Sequence, residues 1–343
     1  MKRRSMILIS LILVLVGSSI PVQAAGRSTE IQQVNQQLKK QHFTGSVLII
    51  RDGRTILQHS YGYANFMKLQ PNTTASDYQL ASTQKVLTAV LFMQLVQAGK
   101  VQLNAPLSRY YPQIAHSKQI TLRQMLDMNS GLYSMTDAQT MLSDSQLIKF
   151  AAQHVKVKAI GQHNYEPVNY TLLTGIIERV TQQSYQTLVK QRIIRPLKLQ
   201  HTGFMLADYQ QEATTTVAYK AVNSFLPYLV HDHESKIALN RKLGTGNMYS
   251  TVTDLFRLEQ AIQQNKLLKP ASVATLFNAT DGSYRGGLYN YRDFVVSHGV
   301  ESSYEAGLAM SRDGYSGVIL LSNRKTGVSL SQQARKLYQR LRL

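Results

Sequence analysis

The chain has 343 residues, enough for one large domain or two modest ones with a sizeable core. Its 38 Lys and Arg against 19 Asp and Glu give a net charge of +19, which points to anionic surroundings. The basic residues are scattered, with no arginine-rich arm and no nucleic-acid-binding motif, and the absence of cysteine excludes disulfides and thiolate metal sites.

The N-terminus reads as an export signal. Met1-Lys2-Arg3-Arg4 is positive, Met6 to Val16 is apolar apart from Ser10, and Gly17-Ser18-Ser19 leads to Val22-Gln23-Ala24. Cleavage after Ala24 would leave a mature domain of residues 25–343. The alternative is an uncleaved anchor, since extension through Ile20 brings the apolar run near the roughly 20 residues a spanning helix needs. Either way the protein is placed outside the cell or on the outer face of the envelope, with membrane contact only through this segment. Export argues against an intracellular nucleic-acid partner.

Ile31 to Lys40 carries apolar residues at 31, 34 and 38, a short amphipathic helix. Two apolar runs then flank Arg51-Asp52-Gly53-Arg54, a hairpin signal. From Ser82 to about Ala207 the chain is helix-rich. After Gly244, Thr253 or Asp254 is in reach of capping a further helix. Beyond Asp281 the pattern turns strand-like: LYNYRDFVVSH, YEAGLAMSRD and GYSGVILLSN, with a turn at Arg312-Asp313-Gly314. Leu330, Ala334, Leu337, Tyr338 and Leu341 then form the apolar face of a last helix. Strands at both ends around a helical middle predict an α+β fold: an antiparallel sheet flanked by helices, with a helical lobe inserted. The sheet lobe would comprise about 28–80 and 285–343, the helical lobe about 82–240.

The chemistry centres on Ser82-Thr83-Gln84-Lys85. A serine and a lysine three residues apart share one helix face, so the amine can reach the hydroxyl. The following residues, Val86 to Val96, are apolar almost all round, which marks a buried helix. Burial lowers a lysine pKa and makes a neutral, basic amine available near pH 7. Ser82 is thereby a candidate nucleophile. The motif is short, however, and Ser322-Asn323-Arg324-Lys325 repeats it; capping a core helix is the plainer role for either serine.

Longer stretches favour the first copy: YGYAN, LASTQKVLTAVLFMQLVQAGKVQLNAPLSRYYP, ITLRQMLDMNSGL, NYTLLTGIIERVT, PLKLQHTGF and GNMYSTVTDL. In this order they resemble the serine hydrolases related to penicillin-binding proteins and class C β-lactamases, over nearly the whole chain from about Phe43. The resemblance implies a β-lactamase/transpeptidase-like fold, with Ser82 as nucleophile and Lys85 as its base partner. The family's second motif, Tyr-x-Asn, falls on Tyr165-Glu166-Pro167, so Tyr165 would be the proton relay and proline replaces asparagine. Glu166 is a possible replacement contact, and Tyr170 reads as core packing. The third motif, Lys-Thr-Gly or His-x-Gly, falls on Ser297-His298-Gly299, with either Ser297 or His298 in first position. The implied oxyanion donors are the backbone N–H groups of Ser82 and Val300, such donors contributing on the order of 3 kcal/mol each.

This third motif lacks lysine, the residue that best holds a terminal carboxylate. A substrate without that carboxylate fits better: D-alanine esterified to teichoic acid has a free ammonium and an anionic polymeric carrier. Some members of the family are teichoic-acid D-alanyl esterases, which the resemblance allows here. A D-alanyl-D-alanine carboxypeptidase or another small-ester esterase is the alternative, and a non-catalytic wall-polymer-binding protein is a third reading. No cofactor or metal is expected. His231-Asp232-His233-Glu234 has metal-ligand residue types without a partner motif, and no G-x-S-x-G elbow is present.

Overall fold

The computed structural model describes residues 22–207, 215–220, 227–232, 234–325 and 327–343. The signal stretch up to residue 21 and His233 lie outside the described residues.

Seven strands form one antiparallel sheet: β1 (Gly45–Arg51), β2 (Arg54–Tyr61), β3 (Asp281–Arg285), β4 (Leu288–Tyr291), β5 (Phe294–Glu301), β6 (Tyr304–Ser311) and β7 (Gly317–Ser322). Their spatial order is β3-β4-β5-β6-β7-β1-β2. The sheet is therefore closed in the middle by pairing the two ends of the chain, with Val47 opposite Leu320 and Ile49 opposite Val318. β6 and β7 are buried at every position, as strands covered on both faces must be. The run LYNYRDFVVSH is not one strand but two, β4 and β5.

Side-chain alternation sorts the sheet residues between two cores. Val47, Ile49, Phe294, Val296, Val318 and Leu320 face α1 (Val22–Lys40) and α5 (Leu330–Arg340), which contribute Val34, Leu38, Ala334 and Leu337. Leu48, Ile50, Val295, Leu308, Met310 and Leu321 face the larger core. That core is built on α2 (Lys85–Gln97), α3 (Val168–Thr181) and α4 (Val252–Gln263). In α2 every residue from Lys85 to Met93 is buried, so this helix is the hub of the helical layer.

Two local expectations are corrected. The first helix begins at Val22 rather than Ile31. The cap of α4 is Thr251, whose side chain accepts from the Asp254 amide, rather than Thr253 or Asp254. Asp254 instead accepts from the His201 amide at 2.7 Å, tying a distant loop to the helix start.

Candidate active site

Ser82 lies in a single 3-10 turn, Ala81–Gln84, that runs directly into α2. The turn is entered through Ala81 at φ +47°, a left-handed conformation that costs a non-glycine residue on the order of 1 kcal/mol or more. Surrounding bonds hold it there. Leu80 N–H donates to Met248 O at 2.8 Å, Gln84 accepts from Met248 N–H at 2.9 Å, and Thr88 Oγ1 donates to Gly244 O at 2.7 Å. The segment 244–248 is thus stitched along the start of α2. The first turn bond is Thr83 N–H to Leu80 O, so the Ser82 amide has no partner within the turn.

Lys85 is buried, and its Nζ donates to Ser82 Oγ at 2.8 Å and to Thr245 O at 3.0 Å. Burial pulls its pKa down to about 7; Glu301 opposes that shift and Lys242 adds to it. The amine also lies 5.2 Å from the centre of the Tyr165 ring. Burial pushes the Tyr165 phenol up to about 12, against the hydrogen-bonding influence of Ser82. Near neutral pH the lysine is therefore available as a base while the tyrosine is a neutral phenol.

Behind Tyr165 stands Tyr284 of β3, edge-on with ring centres 5.4 Å apart, its buried hydroxyl without a well-formed hydrogen bond. The β3–β4 hairpin carrying it is pressed on α2: a Cβ at Gly287 would lie 2.5 Å from Val86 N, and Gly287 has φ +93°. Only glycine meets both conditions. Tyr170 is core, fully buried and donating to Leu126 O at 2.8 Å.

The other wall is β5. Its pairing with β4 ends at Val296, so residues 297–301 run past the Ser82 turn without a strand partner on that side among the described residues. Approach is closest at Gly299, where a Cβ would sit 2.2 Å from Leu80 O and 3.0 Å from Ser82 N. Strand alternation puts Ser297 and Glu301 on that same face. His298 points the other way: its Nε2 lies 3.0 Å from Glu305 Oε1, and that carboxylate accepts from the Leu330 amide at the start of α5. Thus Ser82, Lys85, Tyr165, Ser297, Gly299 and the backbone around Val300 converge, whereas the His298 ring does not.

A cleft of about 400 Å³ opens from Ser82 and Lys85 between these walls. Glu166, Pro167, Asp137, Arg241, Lys242 and Glu301 line it. Lys242 pairs with Glu301 at 3.0 Å and with Glu234, and Arg241 pairs with Asp137 at 2.7 Å. The second Ser-x-x-Lys has no such setting. Ser322 is buried and donates to Thr44 O and Arg324 O, and Lys325 is exposed beyond the strand end. Among the described residues no cluster of three potential metal ligands occurs. His231 packs edge-on against Tyr219, and Asp232 accepts from Ser303 at 2.6 Å.

The family model described as Beta-lactamase matches residues 31–341. The chain belongs to the beta-lactamase family. It is a serine hydrolase of that family, similar to a Bacillus subtilis (strain 168) protein named as a penicillin-binding protein, PbpX. The two are 29% identical over 90% of this chain and 78% of PbpX. It is also 32% identical to the teichoic acid D-alanine hydrolase of Staphylococcus aureus, over 71% of this chain but only 60% of that protein. The crystal structure of FmtA from Staphylococcus aureus superposes with a TM-score of 0.79 at 26% identity, covering 92% of this chain and 87% of FmtA. The D-amino acid amidase of Ochrobactrum anthropi, at 17% identity and a TM-score of 0.76 over 92% of this chain and 97% of its own, shares the fold.

Several residues of this beta-lactamase-family site escape the sequence motifs, Asp137 and Arg241 of the cleft lining among them. Glu301 was within reach, two residues beyond Gly299 on a strand whose faces alternate. Thr245 lies between the glycines of Gly244-Thr245-Gly246, a weaker signal. Lys242 and Tyr284 carry no local signal, because only tertiary packing brings them to the cleft.

Proposed function

We propose that this serine hydrolase removes D-alanyl esters from teichoic acid at the cell envelope through an acyl-enzyme on Ser82. Ser82 Oγ adds to the ester carbonyl while its proton passes to neutral Lys85. The carbonyl oxygen gains negative charge beside the N–H groups of Ser82 and Val300. As the carbon–oxygen bond to the polymer breaks, Tyr165 gives its proton to the departing alkoxide and regains one from Lys85. Water then enters and gives a proton to Lys85 as its oxygen adds to the acyl carbon; the bond to Ser82 Oγ breaks, Lys85 returns the proton to that oxygen, and D-alanine leaves.

The observation that carries the substrate assignment is the sign of the cleft. In a chain of net +19, the carboxylates lining the cleft, Asp137, Glu166 and Glu301, outnumber the cations Arg241 and Lys242 once Lys85 is neutral, and the third motif supplies no lysine. Such a wall attracts a substrate ammonium next to the scissile carbonyl, while the basic exterior attracts a polyphosphate carrier. The similarity to a teichoic acid D-alanine hydrolase supports the same reading, and the export pattern at Met1 to Ala24 supports an envelope location. A D-alanyl-D-alanine carboxypeptidase is the second reading, favoured by Arg241, which lines the cleft with a buried Nε lacking a partner.

Incubating the protein and its Ser82→Ala form with D-alanylated lipoteichoic acid, a D-Ala-D-Ala pentapeptide and a chromogenic cephalosporin separates the readings. Ser82-dependent release of D-alanine from the polymer alone is expected. Release from the pentapeptide alone would replace the esterase by the carboxypeptidase.

A further inference from the structure

A second surface stands out at one end of the sheet. Ten large hydrophobic side chains are exposed among the described residues, and five of them, Phe66, Met67, Leu69, Leu229 and Val230, gather there. Met67, Leu69 and Leu229 are 75%, 70% and 63% exposed. They come from two separate hairpins, Tyr63–Asn65 with Gln70–Pro71 and Tyr219–Lys220 with Val230–His231. An aromatic base joins the two: Phe66 stacks on Tyr228 at 5.0 Å, and the Tyr219 hydroxyl accepts from the Phe66 amide at 2.8 Å.

The charge on these hairpins is mostly basic. Their described residues, 63–71, 215–220 and 227–232, include the exposed Lys68 and Lys220 and one carboxylate, Asp232, which is engaged by Ser303. Aliphatic tips, tyrosines beneath them and lysines at the rim form the arrangement of a protein segment that enters a bilayer interface. Among the described residues no helix is long and apolar enough to cross a membrane, so such contact would be superficial.

We propose that these two hairpins dock on an anionic lipid bilayer, with Met67, Leu69 and Leu229 in the acyl boundary and Lys68 and Lys220 at the headgroups. This is a contact separate from any made by residues 1–24. It also orients the catalytic cleft. Val230-His231 leads to Asp232, which accepts from Ser303 in the turn directly after Glu301. The docked protein therefore opens its cleft alongside the bilayer, where a lipid-anchored polymer begins.

The chain contains no tryptophan, which gives a direct test on the full-length protein. Leu229→Trp and Met67→Trp each place one reporter in the patch. Tyr315→Trp places one at the opposite end of β7, ~20 Å away along the strand. With vesicles containing phosphatidylglycerol, the two patch reporters should shift to the blue and be quenched by brominated acyl chains, and Tyr315→Trp should not. Adding Leu69→Glu to Leu229→Trp should abolish the shift. The proposal is overturned if vesicle-bound protein keeps unshifted, unquenched patch reporters, since residues 1–24 alone would then hold it. It is equally overturned if the shift appears without vesicles and grows with protein concentration, which would make a second copy the occupant. An equal response on purely zwitterionic vesicles would remove the anionic requirement and contradict it too.

Discussion

Lys85 is set to change charge within the working range, since burial brings its amine to about 7. As base it must be neutral, so kcat/KM should rise with pH and level off above about 7. The Glu301 carboxylate holds that pKa up; Glu301→Gln should therefore move the rising limb to lower pH, and a limb that stays or moves upward would remove Glu301 from the site. Tyr165→Phe should lower kcat by about 10² to 10⁴ with the fold intact. Tyr284→Phe keeps the edge-on packing and deletes a buried hydroxyl that makes no well-formed hydrogen bond, so steady-state kinetics should show kcat and KM close to those of the parent. At this scale the Ser82–Lys85 contact was legible because a serine and a lysine three residues apart share one helix face, and the flanking segments, not the spacing, set this copy apart from Ser322 and Lys325. The ambiguity between Ser297 and His298 was not resolvable by counting residues. It is the facing of β5, with Val296 and His298 toward α5 and Gly299 against Ser82, that separates them.

At the level of elements, the site depends on how closely β5 approaches the Ser82 turn. In Gly299→Ala the new methyl would strike the Leu80 carbonyl, so the strand must withdraw and carry the Val300 amide with it. Activity should fall by about 10² or more, since a displacement near 1 Å is enough for such a loss. The melting temperature should drop by only a few degrees. Retained activity would mean that this strand does not supply the oxyanion donor. The cap of α4 offers a second check: Thr251→Ala should cost about 1 kcal/mol in urea unfolding, and Thr253→Ala much less. The sequence pattern puts the cap at Thr253 or Asp254, and the structure puts it at Thr251. The choice among them depends on Asp254 being engaged by His201 and Thr202, some fifty residues earlier, which no local pattern reveals.

For the whole molecule, the α+β architecture was readable from hydrophobic periods and turn residues because each strand and helix is locally consistent. What the sequence could not show was where the ends meet, as β1 against β7 is a pairing across some 270 residues. The helical layer also holds a cost. Glu259 of α4 is fully buried with neither oxygen bonded, and burial pushes its pKa up to about 8. A carboxyl raised in the folded state favours folding in its neutral form. Its contribution is thus complete below about pH 4.5 and is lost as pH rises through 8. Glu259→Gln should therefore stabilise the protein at pH 8 by on the order of a few kcal/mol and do little at pH 4.5, as thermal melts at the two values would show. The proposed reaction passes through a covalent intermediate at one serine. Rapid quenching of the enzyme with a D-alanyl ester, followed by peptide mass mapping, tests it most directly. An alanyl adduct on the peptide bearing Ser82, absent from Ser82→Ala, is the predicted result; an adduct elsewhere, or undiminished turnover by Ser82→Ala, would contradict it.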